Sequence, residues 1–123
     1  MPELTEEEMG NIAFKVMIAS TSHITGKGGV EHEAALLADG VYRVAKETGV
    51  TNEKAMQFIQ KLQGLASDLN EKETEEIALS FLKKRFPRYL KIQNVERFSR
   101  LTAERTGIPS GLLMGFTQQL LAQ

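Results

Sequence analysis

Two stretches decide the fold: AKETGVTNEKAMQF at residues 45–58 and AERTGIPSGLLMGF at residues 103–116. Each runs alanine, three residues, glycine and an apolar residue, followed by apolar positions at helical spacing. The first copy supplies Ala45, Gly49, Val50, Ala55 and Phe58, and the second Ala103, Gly107, Ile108, Leu113 and Phe116. This spacing predicts two helices meeting across a tight turn. Small alanine lets the first helix approach the second, glycine supplies the left-handed turn conformation, and the later apolar residues lock the pair together.

The pattern resembles a helix-turn-helix over about residues 41–62 and 99–120, a likeness shared by nucleic-acid readers and by structural helical hairpins. In a reader, the outer face of the second helix enters the major groove while the first helix crosses the phosphate backbone. The resemblance makes Thr51, Asn52 and Gln57, with Gln60 and Lys61, the groove-facing candidates of the first copy. The second copy offers Ser110, Gly111, Gly115, Gln118 and Gln119 with no cation, a poor set for reading bases.

Outward from the two turns, helical signals fill the chain. Thr5 with Glu8 is a capping box, and Met9, Ile12, Ala13, Val16 and Met17 follow at helical spacing, predicting a helix over about 6–20. Residues 20–30 form a Ser, Thr and Gly-rich loop, and a second helix spans about 30–48. The third, capped by Thr51 or Asn52, is expected to reach Leu69, because Ala55, Phe58, Ile59, Leu62, Leu65, Ala66 and Leu69 fall on one face. Asn70 with Glu73 starts a fourth that Pro87 ends, and a fifth lies between Arg88 and Thr106 with a break or restart near Asn94. Pro109 and Ser110 open the last.

The expectation is an all-α, single-domain bundle of five to six helices with helix-turn-helix-like hairpins. Overlaying the turns aligns Thr48 with Thr106, Phe58 with Phe116 and Leu62 with Leu120, so a three-plus-three pseudo-repeat with halves 5–69 and 70–123 is expected, the Gly-rich loop being an insertion in the first.

A chain of 123 residues can bury a core without staples, and it contains no cysteine, which excludes disulfides, thiol nucleophiles and thiolate metal sites. The start, MPELTEEEMG, is acidic where a signal peptide is basic, and no apolar run approaches the roughly 20 residues of a membrane helix. No membrane partner and a cytoplasmic location are expected.

The net charge of −1 conceals an uneven distribution. Residues 83–105 carry eight Lys and Arg against two Glu, whereas residues 1–82 carry seven against fourteen Asp and Glu. A basic segment concentrates anions. Lys83, Lys84, Arg85, Arg88, Lys91, Arg97 and Arg100 are therefore the candidate phosphate contacts, and Tyr89 could stack on a base. The same residues suit an acidic protein surface. The last helix carries apolar residues over more than half of its circumference, which makes Leu112, Met114 and Leu121 candidates for a partner or homodimer interface.

Chemistry is thinly represented. The string GKGGV at residues 26–30 lacks the Ser or Thr that a phosphate-binding loop places after its lysine. His23 and His32, with Glu31 and Glu33, have no zinc-type spacing. No nucleophile, acid–base pair or cofactor motif stands out. The functional expectation is a non-enzymatic regulatory protein without metal or cofactor, contacting nucleic-acid phosphates through the basic segment. The alternative is a helical adaptor that binds an acidic partner through the basic face and the apolar C-terminal helix.

Overall fold

Thr5 and Asn70 each stop the chain before a helix by the same means. The Glu8 N–H donates to Thr5 Oγ1 (3.1 Å) and the Thr5 N–H returns a bond to Glu8 Oε1 (3.1 Å), a complete capping box. The Glu73 N–H donates to Asn70 Oδ1 (2.8 Å), but the Glu73 carboxylate turns away to Lys54 (3.3 Å). These caps open α1 (Glu6–Thr21) and α4 (Glu71–Tyr89). The others are α2 (Val30–Thr48), α3 (Asn52–Leu62), α5 (Val95–Thr106) and α6 (Ser110–Leu121), with a 3-10 turn at Ile92–Asn94. This computed structural model describes residues 3–21 and 30–122, and side chains at residues 21 and 30–37 lie outside that description, as do His23, Lys27 and the side chains of Glu31, His32 and Glu33. Among the described residues there is no strand, and six helices form one bundle.

Both hairpin turns form as the sequence predicts, with matching bonds. Gly49 and Gly107 adopt φ values of 79° and 76°, a region open to glycine and strained for other residues. Their N–H groups donate to the carbonyls of Ala45 and Ala103, each at 2.9 Å. Thr48 and Thr106 donate their hydroxyls to the carbonyls of Val44 and Thr102, and accept from the N–H groups of Val50 and Ile108. Phe58 and Phe116, each ten residues after the aligned threonine, are completely buried.

The likeness extends to the first helix of each half. Aligning Thr5 with Asn70 pairs Ile12 with Ile77, Ala13 with Ala78, Val16 with Phe81 and Met17 with Leu82, all eight of them buried. Packing repeats the correspondence: α2 on α3 matches α5 on α6, α2 on α4 matches α5 on α1, and α3 on α1 matches α6 on α4. The fold is thus a pseudo-twofold arrangement in which the middle helix of each half packs on the first helix of the other. At the centre α1 lies against α4 so closely that a Cβ on Gly10 would come within 3.1 Å of Glu75 Cβ. Gly10 and Glu75 are themselves equivalent positions, which puts their contact on the pseudo-twofold axis.

Two helix ends differ from the sequence expectation. The third helix stops at Leu62, not Leu69. Gly64 takes φ 76°, and the Leu65 and Gly64 N–H groups donate to the carbonyls of Gln60 and Lys61, the double bond pattern of a Schellman close. Leu65 and Ala66 are consequently exposed, while Leu69 returns to the core. The fourth helix runs two residues past Pro87, which it accommodates in its last turn. There a proline costs one hydrogen bond rather than the continuity of the helix.

The axial contact leaves no room for a branched side chain. Gly10→Val is expected to destabilise the fold by about 1–3 kcal/mol through overpacking, read by chemical denaturation, while Gly10→Ala, whose gain in helix propensity opposes a tight contact, costs less. Glu8 gives a pH-dependent signature. The Thr5 backbone N–H, and then its hydroxyl, hold the Glu8 carboxyl below the ordinary glutamate value. A lowered folded value means that the stabilisation is present above the ordinary glutamate pKa and is lost as pH falls through the lowered one. An NMR titration should find Glu8 below the ordinary range in the native chain, and Thr5→Ala should move it part of the way back.

Candidate functional site

The basic segment divides when it folds. Lys83 pairs with Glu6 ahead of the α1 core (3.1 Å) and Arg88 with Glu47 of α2 (2.9 Å), both carboxylates from the N-terminal half. Five helical positions separate the two cations, about 140° around the axis, so they leave α4 in different directions. Lys84 is exposed and has no carboxylate partner among the described residues. The Arg85 guanidinium lies 5.4 Å from the Phe81 ring centre and 4.9 Å from that of Tyr89. Tyr89 is 67% exposed, Lys91 is exposed, and Ile92 in the 3-10 turn is 82% exposed. Arg97 and Arg100 occupy the outer face of α5 with Leu101 and Glu104, opposite the buried Val95, Ser99 and Thr102. The cations left without a carboxylate partner among the described residues thus lie at the end of α4 and on the outer face of α5.

Two of the groove-facing candidates, Thr51 and Lys61, have their side chains engaged within the fold. Thr51 caps α3, its hydroxyl accepting from the Lys54 N–H (3.1 Å), and Asn52 is exposed beside it. Gln57 is half-buried, and its backbone carbonyl, not its side chain, accepts from Ser67 Oγ (2.9 Å). Lys61 donates its ammonium to the Leu69 carbonyl (2.7 Å). The 63–70 segment is thereby tied along α3, whose second half carries no unengaged cation. On α6, Gln119 is bonded twice to the Leu4 backbone, its Nε2 donating to the carbonyl and its Oε1 accepting from the N–H, each at 3.0 Å.

The broad apolar face of α6 is largely consumed inside the chain. Leu113, Phe116 and Leu120 are buried, and Met114 and Leu121 are half-buried. Leu112 alone of the proposed interface residues stays open, 40% exposed.

That leucine borders a feature absent from the sequence reading. A groove of about 1280 Å³ runs between the first turns of α1 and α4, rimmed by Glu6, Glu7, Glu8, Glu71, Glu75 and Glu76, with Ile12, Leu79 and Leu112 beneath and Lys72 as the only cation on its lining. Glu75 accepts from Asn11 Nδ2 (3.3 Å). The carboxylates of Glu7, Glu71 and Glu76 have no hydrogen-bond or ion-pair partner among the described residues. The available signal was the pair of overlaid caps, since two helices that both begin in glutamates concentrate negative charge where their N-terminal halves meet.

Among the described residues no group of three or more histidines and carboxylates is placed to hold a metal ion, and no helix is long and apolar enough to cross a membrane. No protein-family model, curated protein or solved structure matches the chain.

The two kinds of cation separate in a stability measurement. Arg88→Ala removes the partner of the mostly buried Glu47 and should cost on the order of 1 kcal/mol, whereas Lys84→Ala should fall within about 0.5 kcal/mol of the parent chain in urea denaturation.

Proposed function

We propose that the protein is a helical adaptor that docks on an acidic, partly apolar protein surface through the corner made by the end of α4 and the Ile92–Asn94 turn. The exposure of Ile92 carries this reading. A branched apolar side chain held in water beside Lys91 gains nothing from a phosphate backbone, but gains burial against a protein. Tyr89, exposed, and Arg85, half-buried and stacked on it, belong to the residue types that dominate protein interfaces. The apolar part of the contact thus comes from this corner, with Leu112 as the open residue of the C-terminal helix.

Contact with nucleic-acid phosphates is the second reading, favoured by Lys84, Arg85, Lys91, Arg97 and Arg100, and by a tyrosine able to stack on an unpaired base. It draws no help from the second helices of the hairpins. Lys54 and Lys61 are engaged within the fold, and α6 has no cation.

Anisotropy titrations at physiological salt separate the two. An amphipathic peptide of Glu and Leu should bind, and Ile92→Ser should weaken it about tenfold, the equivalent of roughly 1.4 kcal/mol. Mixed-sequence single-stranded DNA and RNA should not bind. Oligonucleotide binding that falls steeply with salt and ignores Ile92→Ser would overturn the adaptor reading in favour of phosphate contact.

A further inference from the structure

The repeat relates the small cleft beside Lys54 to one end of the large groove, where Leu112, Glu8, Asn11 and Ile12 stand for Lys54, Glu73, Glu76 and Ile77. Overlay of the hairpins makes Lys54 of α3 the counterpart of Leu112 of α6, and overlay of the first helices makes Glu73 the counterpart of Glu8. On the α3 side Lys54 reaches Glu73 (3.3 Å) and leaves only a small cleft of about 190 Å³, lined also by Thr48, Val50 and Ile77. On the α6 side the position of the lysine is taken by Leu112, Glu8 has turned back to cap Thr5, and the large glutamate-rimmed groove stays open. The chain thus carries its own illustration of what fills such a cleft, a lysine ammonium delivered from a neighbouring element. The open copy lacks that lysine and offers an exposed leucine instead.

One surface of this same chain has the complementary pair of properties. At the α4 corner Ile92 is 82% exposed, with Lys91 beside it and Lys84 free one helical turn before Arg88. We infer that the acidic groove between α1 and α4 receives the basic corner of a second copy, Ile92 covering Leu112 while Lys84 and Lys91 meet Glu7, Glu71 and Glu76. This rests on the reading of that corner as a protein-docking surface and names its partner. Groove and corner are different patches, so the contact is head-to-tail. Each copy retains one unused groove and one unused corner, and growth beyond a pair follows unless the rotation closes a ring.

Sedimentation of the full chain tests this. In low salt the weight-average mass should rise with concentration past twice the 13.7 kDa monomer, and it should return towards the monomer as salt approaches about 150 mM and the screening length shrinks to about 8 Å. A groove variant, Glu7→Lys with Glu71→Lys and Glu76→Lys, and a corner variant, Lys84→Glu with Lys91→Glu, should each be monomeric alone. Mixing the two should restore association, because each supplies the surface that complements the other. All these positions are exposed, and circular dichroism melts verify that both variants fold. A parent chain that stays monomeric in low salt, association that stops at a salt-insensitive dimer, or association that survives both variants would overturn the inference. The Glu and Leu peptide titration is read on dilute monomer. Peptide binding without self-association sinks only the choice of partner, and loss of both sinks the docking corner itself.

Discussion

Everything in this molecule is arranged around the contact of α1 with α4 at Gly10 and Glu75. Two helices can approach this closely only where one of them lacks a Cβ, and the fully buried Ala13 and Ala78 sustain the approach one turn later. The crossing brings the two halves into register, so that α2 can lie on α4 while α5 lies on α1. Neither half is then a self-contained core. The hairpins contribute Phe58 and Phe116, buried to completion, and Phe86 bridges the second set, edge-on to Phe98 at 5.2 Å and to Phe116 at 6.3 Å.

The same crossing creates the charge pattern. Helix N-termini favour carboxylates, so glutamates in the first turns of α1 and α4 are stabilising taken one helix at a time. Bringing those halves together places four of them, Glu6, Glu7, Glu8 and Glu71, around one groove with Glu75 and Glu76 of the next turn. The chain relieves part of this repulsion with Lys83 on Glu6 and Lys54 on Glu73, and it spends Glu8 on its own cap. What remains is a surface with Glu7, Glu71 and Glu76 unneutralised, above apolar side chains.

How much of this was legible in the sequence follows the range of each interaction. The caps at Thr5 and Asn70, the left-handed glycines 49 and 107, and the break near Asn94 were readable, since each is decided within a few residues, while the cap of α3 was narrowed to Thr51 or Asn52. The repeat was visible in the hairpins because alanine, threonine, glycine and a branched apolar residue recur at the same spacing in both turns. Its first-helix portion showed only as a pair of acidic capping signals, because Thr5 and Asn70 use different capping residues and the segment ahead of α2 is longer than the connection ahead of α5. The end of α3 was misread for an instructive reason. Leu65, Ala66 and Leu69 continue the helical spacing of Phe58 and Leu62, yet Gly64 closes the helix, and the Ser67 hydroxyl and the Lys61 ammonium satisfy the carbonyls of Gln57 and Leu69. Apolar periodicity records which residues could share a face, whereas a glycine in the left-handed region decides whether the helix exists to carry them.

The basic segment illustrates the converse limit. Counting charges along residues 83–105 treats them as one object, but a helix distributes consecutive residues around its axis and a bundle supplies partners from remote parts of the chain. Glu6 and Glu47 withdraw Lys83 and Arg88, and Arg85 is stacked against rings instead of projecting into solvent. Net charge over a window therefore overstates the charge available to a ligand wherever the window is helical and the opposite charge lies elsewhere in the same fold. Five exposed cations are left over, Lys84, Lys91, Arg97, Arg100 and Arg105, and the position of Lys91 beside an open isoleucine matters more than their number. An interface built from them draws its affinity from the apolar contact and its orientation from the charges, which is the division of labour expected where water must be expelled before the ion pairs strengthen.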